Sequence, residues 1–239
     1  MSTSVAKTAP RYIAEVCNSQ EVTLFGTADL AFWQRKLQLE NLLPVDRNGR
    51  AQLMISAVSS RWLGARFSEF MIAVLAEPRG HVPDAGDSPG MFLLTAYNTS
   101  RPFTFIEQRY FQTPYKHGSI AVQSSPQPSL LLKQRAVELV QAKRVDQSHA
   151  VSNIEEVWEG KIYLPPRTSN ARFPGNLFYA RLSGLSQVSP FTAGKDVLQL
   201  TSSESEPVLG WLLESEFSGT EWHVRNSATH ARSKTYPRD

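Results

Sequence analysis

Short runs in which apolar and polar residues alternate dominate the chain, and this period of two is typical of half-buried β-strands. The runs cover residues 13–25, 51–76, 91–97, 103–111, 161–164, 177–188, 197–200 and 212–224. Within the second run, Trp62-Leu63-Gly64 favours a hairpin or a bulged bend. Residues 129–144 have an apolar spacing that fits neither a helix nor a strand cleanly.

Helical signals are few. Thr27 and Asp29 can cap a helix whose apolar positions share one face until Pro44 ends it. A capping box, Ser-x-x-Glu, predicts a short helix over residues 152–158. Turns or loops are predicted from their Gly, Pro, Asp and Asn content at residues 46–50, 77–90 and 98–102.

Many short strands with few helices predict a mainly β (α+β) protein with one closed or nearly closed sheet. A chain of 239 residues suits one large domain or two small ones, and nothing in it marks a boundary. We therefore expect one folded domain over residues 13–227, preceded by a flexible lead over residues 1–12. Residues 228–239 are polar and basic, and we expect a disordered tail there.

Charge and composition argue against several partners. Lys and Arg number 25 against 22 Asp and Glu, a net charge of +3 that is too small and too evenly spread to indicate a nucleic-acid or membrane surface. The first dozen residues lack the apolar core of a signal peptide. Cys17 is the one cysteine, which favours a reducing compartment. We expect a cytoplasmic protein that acts on a small molecule, and the sequence leaves open whether it is a monomer or a homo-oligomer.

The sequence contains no phosphate-binding Gly-rich loop, no nucleophile elbow and no paired zinc histidines. No two of its five histidines have metal-ligand spacing. We therefore expect chemistry that needs no metal and no cofactor. A Ser/His/Asp triad assembled by the fold stays open at this point.

The most distinctive chemistry lies in residues 107–122, EQRYFQTPYKHGSIAV. Pro114 cannot donate a ladder hydrogen bond and restricts the preceding residue to extended geometry. The chain should therefore turn there and present Tyr115, Lys116 and His117 at the edge of a sheet. The plain alternative is an ordinary edge strand with a polar rim.

This segment resembles the acetoacetate decarboxylase family, which has an acid, a short aromatic run and then Pro-Lys-Lys. Two other stretches agree in order: residues 53–76 resemble a family strand, a Gly-x-Tyr-Thr-Glu turn and a second strand, and residues 197–217 resemble a late strand, a buried proline and a closing strand. The similarity spans roughly residues 29–223. It implies a β-barrel-like cone with a few peripheral helices and an internal cavity, and it favours strand for residues 129–144.

The resemblance also matches individual residues of this chain to functional positions of the family. In the family the first lysine after the proline forms a Schiff base with a ketone, and Tyr115 occupies that position here. The second lysine matches Lys116, which should face away from the cavity if Tyr115 faces into it. One family glutamate matches Glu69, Met54 stands at the position of another, and Arg109 replaces an acid.

These departures argue against imine chemistry and favour acid–base catalysis, with Tyr115 as the acid and Glu69, its pKa raised by burial, as the base. Arg66, Arg109 or His117 would anchor a carboxylate or oxyanion, and Met54 and Trp62 would contact a hydrophobic carbonyl substrate. The expected reaction is a cyclisation, isomerisation or dehydration, as in secondary metabolism.

Three alternatives remain open. The first is a Schiff-base decarboxylase or aldolase-dehydratase that uses Lys116. The second is a protein that binds a hydrophobic ligand without catalysis, and the third is a structural protein. Glu69 could equally be a surface carboxylate paired with Arg66, and Tyr115 a packed core aromatic.

Overall fold

The computed structural model describes residues 10–80, 88–146, 148–149, 151–166 and 176–238. The strands are β1 Tyr12–Asp29, β2 Leu42–Pro44, β3 Asp46–Arg47, β4 Arg50–Trp62, β5 Ala65–Pro78, β6 Gly90–Asn98, β7 Tyr115–His117, β8 Ser119–Gln123, β9 Ser129–Gln134, β10 Val137–Lys143, β11 Ser152–Tyr163, β12 Leu177–Pro190, β13 Val197–Leu200 and β14 Ser218–Tyr236. The α-helices are α1 Leu30–Leu37, α2 Arg101–Ile106 and α3 Pro207–Glu214. A 3₁₀ turn, Gln38–Glu40, follows α1, and a π-helical turn, Glu107–Phe111, follows α2.

The long strands close into a ring. Neighbouring strands pair in the order β5-β4-β1-β14-β12-β11-β6, and β6 pairs again with β5. All of these pairings are antiparallel except the short parallel one between β6 and β11. β7 adds to β6 in parallel at the edge of this sheet. The mainly β, cone-like architecture predicted from the sequence is therefore the observed one.

The main hydrophobic core lies outside the ring. A second sheet, in the order β13-β10-β9-β8, covers one outer face of the ring together with α1 and α3. Leu24 and Trp222 of the ring belong to one buried cluster with Leu132 and Val140 of the second sheet. The second sheet and the two helices thus bury the apolar side chains on the outer face of the ring. Polar groups can therefore occupy the inner face.

Several local predictions are confirmed. Asp29 caps α1, accepting a hydrogen bond from the Phe32 amide at 2.5 Å. Trp62 and Ala65 close the β4–β5 hairpin, and residues 129–144 form two strands, β9 and β10. Helix α1 ends earlier than predicted, however, because residues 42–44 pair with β5 as a strand.

The strand predicted at residues 103–111 is wrong. The Ser100 side chain accepts a hydrogen bond from the Phe103 amide at 3.4 Å and starts α2. Pro102 lies in the first turn, where its missing N–H is not needed. The predicted turn at residues 98–102 is thus the beginning of a helix.

Three further corrections concern the second half. The helix predicted at residues 152–158 is wrong, since β11 pairs with β12 along its whole length and this ladder outweighs a local capping signal. Leu212 belongs to α3, so the last strand begins at Ser218. The resemblance predicted a buried proline within residues 197–217. Pro207, the proline of that stretch, is instead exposed and begins α3.

The expected disordered tail over residues 228–239 is corrected as well. β14 continues to Tyr236, paired with β1 on one side and β12 on the other. Ala228, Ala231 and Ser233 are buried. Of the expected flexible lead, residues 1–9 lie outside the described residues, and Tyr12 already belongs to β1. Residues 81–87 of the predicted loop also lie outside them.

Among the residues described, no helix has both the length and the apolar character needed to cross a membrane.

Candidate active site

Tyr115 and Glu69 meet where three strands run side by side. Tyr115 lies opposite Ala96 on β6, and Glu69 of β5 lies opposite Asn98 of β6. The Glu69 carboxylate lies close enough to the Tyr115 hydroxyl to raise the pKa of that phenol. Glu69 also accepts a hydrogen bond from Asn98 Nδ2 at 3.0 Å. The two residues expected to act as acid and base are therefore neighbours beside β6.

The surroundings of Glu69 and Tyr115 raise the pKa values of both side chains. Burial and, to a smaller extent, the negative charge of Glu107 raise the pKa of Glu69 to about 7, against the opposing effects of Arg232, His230 and Asn98. Burial and the charges of Glu69 and Glu107 raise the pKa of Tyr115 well above its usual range. Tyr115 is only 9% exposed. Near neutral pH the carboxyl can therefore exchange a proton while the phenol stays protonated.

Glu107 and Arg232 form a second charged pair beside the first. Arg232 Nη1 donates to Glu107 Oε1 at 2.6 Å and to Oε2 at 2.7 Å. Thr113 Oγ1 also donates to Glu107 at 2.9 Å. The Arg232 guanidinium lies between the rings of Phe111 and Phe178, 4.3 Å from each centroid. These contacts hold the cation at a defined place next to Tyr115.

Arg232 retains hydrogen-bonding capacity. Its Nε and Nη2 atoms are buried and have no hydrogen-bond partner among the described residues. A buried guanidinium with two unused donors matches the geometry of a carboxylate or an enolate oxygen. Arg232 belongs to β14 and Glu69 to β5, which are not neighbours in the ring, so the two groups approach each other through its interior.

A further polar cluster lies deeper in the ring. Glu21 accepts hydrogen bonds from Arg225 Nη1 and Thr23 Oγ1, both at 2.9 Å, and its Oε2 is 3.0 Å from His230 Nε2. Burial works to raise the pKa of Glu21, but the adjacent His230 and the charge of Arg225 lower it to about 2. Arg225 also pairs with Glu156. His230 thus stands between Glu21 and the Glu69 site.

Apolar side chains complete the inner face. Around Tyr115 the buried residues are Leu93, Ala96, Ile162, Leu164 and Phe178. Met54 belongs to a separate apolar cluster with Ala73 and Leu75, which Met71 joins to the first. The inner face therefore combines the polar groups around Glu69 and Tyr115 with an apolar wall that includes Met54.

Lys116 lies on the other face of β7. Its Nζ is 2.8 Å from the buried carboxylate of Glu206, which also accepts hydrogen bonds from Thr95 and from Tyr97 at 2.6 Å. This is the orientation expected for strand neighbours, with Tyr115 on one face and Lys116 on the opposite one. Lys116 does not reach Glu69.

Four other residues expected to contact substrate lie at the surface. Arg66, Arg109 and His117 are exposed, and Trp62 is partly exposed near the tip of the β4–β5 hairpin. Glu69 accepts a hydrogen bond from Asn98 and lies near Tyr115, and it does not pair with Arg66.

The sequence alone predicted no role in the site for four residues: Asn98, Glu107, His230 and Arg232. His230 and Arg232 fell in the expected tail, although residues 229–236 alternate small or Thr residues with larger polar ones, a period-two signal for a strand. Glu107 is brought to the site by a helical turn that the strand prediction missed.

Comparison of the sequence with models of known protein families gave no match, and comparison with curated proteins gave none either. Solved structures do match. A structure of acetoacetate decarboxylase aligns over 99% of this chain and 95% of its own, with a TM-score of 0.63 and 17% identity. An acetoacetate decarboxylase-like enzyme from Sphingomonas wittichii RW1 aligns over 94% and 92%, with a TM-score of 0.57 and 14% identity.

The enduracididine biosynthesis enzyme MppR, complexed with the condensation product of pyruvate and imidazole 4-carboxaldehyde, aligns over 98% of this chain and 91% of its own. Its TM-score is 0.62 at 14% identity. At these identities the likeness establishes the fold.

Proposed function

We propose that this chain, which has the acetoacetate decarboxylase-like fold, is a cofactor-independent enzyme that removes a proton next to the carbonyl group of a small hydrophobic compound. The observation that carries the proposal is the proximity of Glu69, with a pKa near neutrality, to Tyr115, a phenol that stays protonated. Isomerisation, dehydration and cyclisation of a carbonyl compound all begin with this step.

Glu69 is the base. A carboxylate with a pKa of about 7 is a stronger proton acceptor than one at its ordinary value, and about half of it is ionised at neutral pH. When the Tyr115 hydroxyl donates a hydrogen bond to the substrate oxygen, the neighbouring carboxylate takes the α-proton. Asn98 holds Glu69 in place during this step.

Tyr115 is the acid, and Arg232 supports it. As the α-proton leaves, negative charge develops on the carbonyl oxygen, where the Tyr115 hydroxyl donates a hydrogen bond. The free Nε and Nη2 donors of Arg232 stabilise that charge or hold a carboxylate of the substrate. Arg232 therefore takes the anchoring role that the sequence had suggested for Arg66, Arg109 or His117.

The apolar wall favours a hydrophobic substrate. Leu93, Ile162, Leu164 and Phe178 surround Tyr115, and they exclude water from the reacting groups. MppR, a biosynthesis enzyme with this fold, is consistent with a role of this chain in secondary metabolism.

The test is α-proton exchange, which does not require the natural substrate. A panel of small 1,3-diketones and β-keto esters in deuterated water, followed by NMR, should show exchange catalysed by the wild-type protein. Tyr115→Phe and Glu69→Gln nearly preserve volume and should each lower the rate about 10²- to 10⁴-fold. Tyr110→Phe, at an exposed tyrosine, is the matched control and should keep the wild-type rate.

Two outcomes would overturn this assignment. If both site variants exchange protons at the wild-type rate, the base lies elsewhere. If the wild-type protein binds panel compounds, by ligand titration, but never exchanges their protons, the interior serves binding alone.

Borohydride tests the lysine alternative. Because Lys116 pairs with Glu206 on the opposite face, treatment with borohydride and a β-keto acid should leave the protein mass unchanged. A stable adduct mapped to Lys116 would restore the Schiff-base decarboxylase.

A further inference from the structure

The tip of the β4–β5 hairpin exposes a leucine in an unfavourable conformation. Leu63 and Gly64 both have positive φ, 48° and 83°. Such two-residue turns favour Asn-Gly, because residues with a branched or bulky side chain are strained in this region. Leu63 is nevertheless 86% exposed. The backbone conformation and the exposure of this side chain to water are therefore both unfavourable, and the described part of the chain does not cover it.

Aromatic residues extend this apolar tip into a patch. Trp62 and Phe67 both stack edge-on against Phe103 of α2, with ring centroids 5.7 and 5.1 Å apart. The outer side of α2 and its π-helical turn then exposes Phe105 (60%) and Tyr110 (70%). We call the following residues the tip patch: Trp62, Leu63, Phe103, Phe105, Ile106 and Tyr110.

Arginines surround the tip patch. Arg61 and Arg66 face each other across the hairpin, and Arg101 and Arg109 lie on α2 and its π-helical turn. All four are exposed, and none forms an ion pair with a carboxylate in the described part of the chain. Like charges directly opposite each other on a hairpin repel, so a neighbouring surface of opposite charge would relieve them.

The acidic residues of these two segments face away from the tip patch. Residues 61–69 and 101–110 contain Glu69 and Glu107 as their only carboxylates. Glu69 accepts a hydrogen bond from Asn98, and Glu107 is held by Arg232, so both face the ring interior. The outer surface is therefore basic and apolar at once.

We propose that the tip patch docks on an anionic phospholipid bilayer. Exposed aromatic and aliphatic side chains flanked by arginines match the lipid–water interface, where rings lie at headgroup level and guanidinium groups meet phosphate and carboxylate. The overall charge of +3 conceals this surface, because charge averaged over 239 residues does not describe a patch.

Vesicle co-sedimentation tests the proposal. We expect the wild-type protein to bind vesicles of equimolar phosphatidylcholine and phosphatidylserine at low salt, and to bind pure phosphatidylcholine vesicles much less. Raising the salt concentration should weaken binding, since exposed charges are screened. Arg61→Gln and Arg66→Gln should each reduce the partition coefficient about fivefold.

Leu63→Asn separates surface binding from hairpin stability. It creates an Asn-Gly turn, so the melting temperature should stay the same or rise, while vesicle binding falls about tenfold. Leu39→Asn is the matched control, because Leu39 is 92% exposed but follows α1, near the other end of β5. Its vesicle binding should equal that of the wild type.

Three results would overturn the proposal. The first is no binding of the wild-type protein to anionic vesicles at low salt. The second is equal binding by Leu63→Asn and the wild type. The third is a stable oligomer in light scattering that Leu63→Asn dissociates, which would make a second copy of the chain the occupant of the patch.

Discussion

Glu69 and Tyr115 differ from solvent-exposed residues of the same types because each lies in the field of the other and both are withdrawn from water. Desolvation disfavours the charged form of either group, and the nearby Glu107 adds to this effect. The positive charge of Arg232 opposes this effect, so the pKa of Glu69 is about 7 and not higher. The acid and base roles therefore follow from the surroundings of the two side chains, and these surroundings also have a cost in stability.

The pH dependence of stability should show this cost at Glu69. Its folded-state pKa of about 7 exceeds the ordinary value of 4.5, so its contribution is fully present below pH 4.5 and is lost as the pH rises to about 7. Glu69→Gln does not titrate. In urea unfolding it should be more stable than the wild type at pH 8, by on the order of 2–3 kcal/mol, and should lose this advantage at pH 4.5.

Glu155→Gln, at an exposed position on β11, serves as the control and should change stability little at either pH. An advantage of Glu69→Gln that is equal at both pH values would mean that the carboxyl of Glu69 is not desolvated as described.

Among the elements, β14 has the largest role in the site. This 19-residue strand pairs with β1 and β12 and carries His223, Arg225, His230 and Arg232. Its residues are mostly small or polar, so composition suggested a tail from residue 228 onward. Pairing on both sides nevertheless satisfies its backbone groups, and the ring cannot close without it.

Truncation tests this role. Ending the chain after Ser227 removes buried Ala228, Ala231 and Ser233 and leaves β1 and β12 unpaired over this part of their length. We expect the melting temperature, followed by circular dichroism, to fall by more than about 10 °C, or the protein not to fold. Ending it after Tyr236 removes the Arg238–Glu40 pair and should cost only a few degrees. Equal melting temperatures for all three chains would restore the disordered tail.

For the whole molecule, the weak point of the ring is the contact between β6 and β11. Of the residues in β6, only Met91 and Phe92 pair with β11, opposite Ile162 and Tyr163. Gly90 permits this approach: a Cβ there would lie 2.6 Å from the Tyr163 ring and about 3 Å from two backbone oxygens, those of Lys161 and Ala76. The closed ring thus depends on a position without a side chain.

Gly90→Ala should therefore destabilise the protein by about 1–3 kcal/mol in urea unfolding, because backbone on two strands must move. Gly210→Ala is the matched control: it lies inside α3, and its nearest neighbour would be Ser202 Oγ at 3.8 Å. Relief of glycine's unfolded-state entropy should stabilise this variant by about 0.4–1 kcal/mol. A neutral Gly90→Ala would show that β6 and β11 do not approach as closely as described.

The sequence by itself determined the β-rich architecture, the cap of α1, the turn at Leu63-Gly64 and the opposite orientations of Tyr115 and Lys116. Each of these follows from local rules: the period of two, the hydrogen-bonding capacity of a cap, and the alternation of side chains along a strand. The Pro-Tyr-Lys segment directed attention to Tyr115, and the resemblance of residues 53–76 to a family strand, turn and strand directed it to Glu69.

Only the tertiary structure decided which groups surround that pair. Asn98, Glu107, His230 and Arg232 come from β6, a helical turn and the last strand, and their convergence depends on ring closure rather than on sequence spacing. The same holds for residues 152–158, where pairing with β12 overrode a capping box. Local propensities amount to a few tenths of a kcal/mol per residue, whereas closing a ladder on both sides satisfies every backbone group of a strand, so the global pairing prevails.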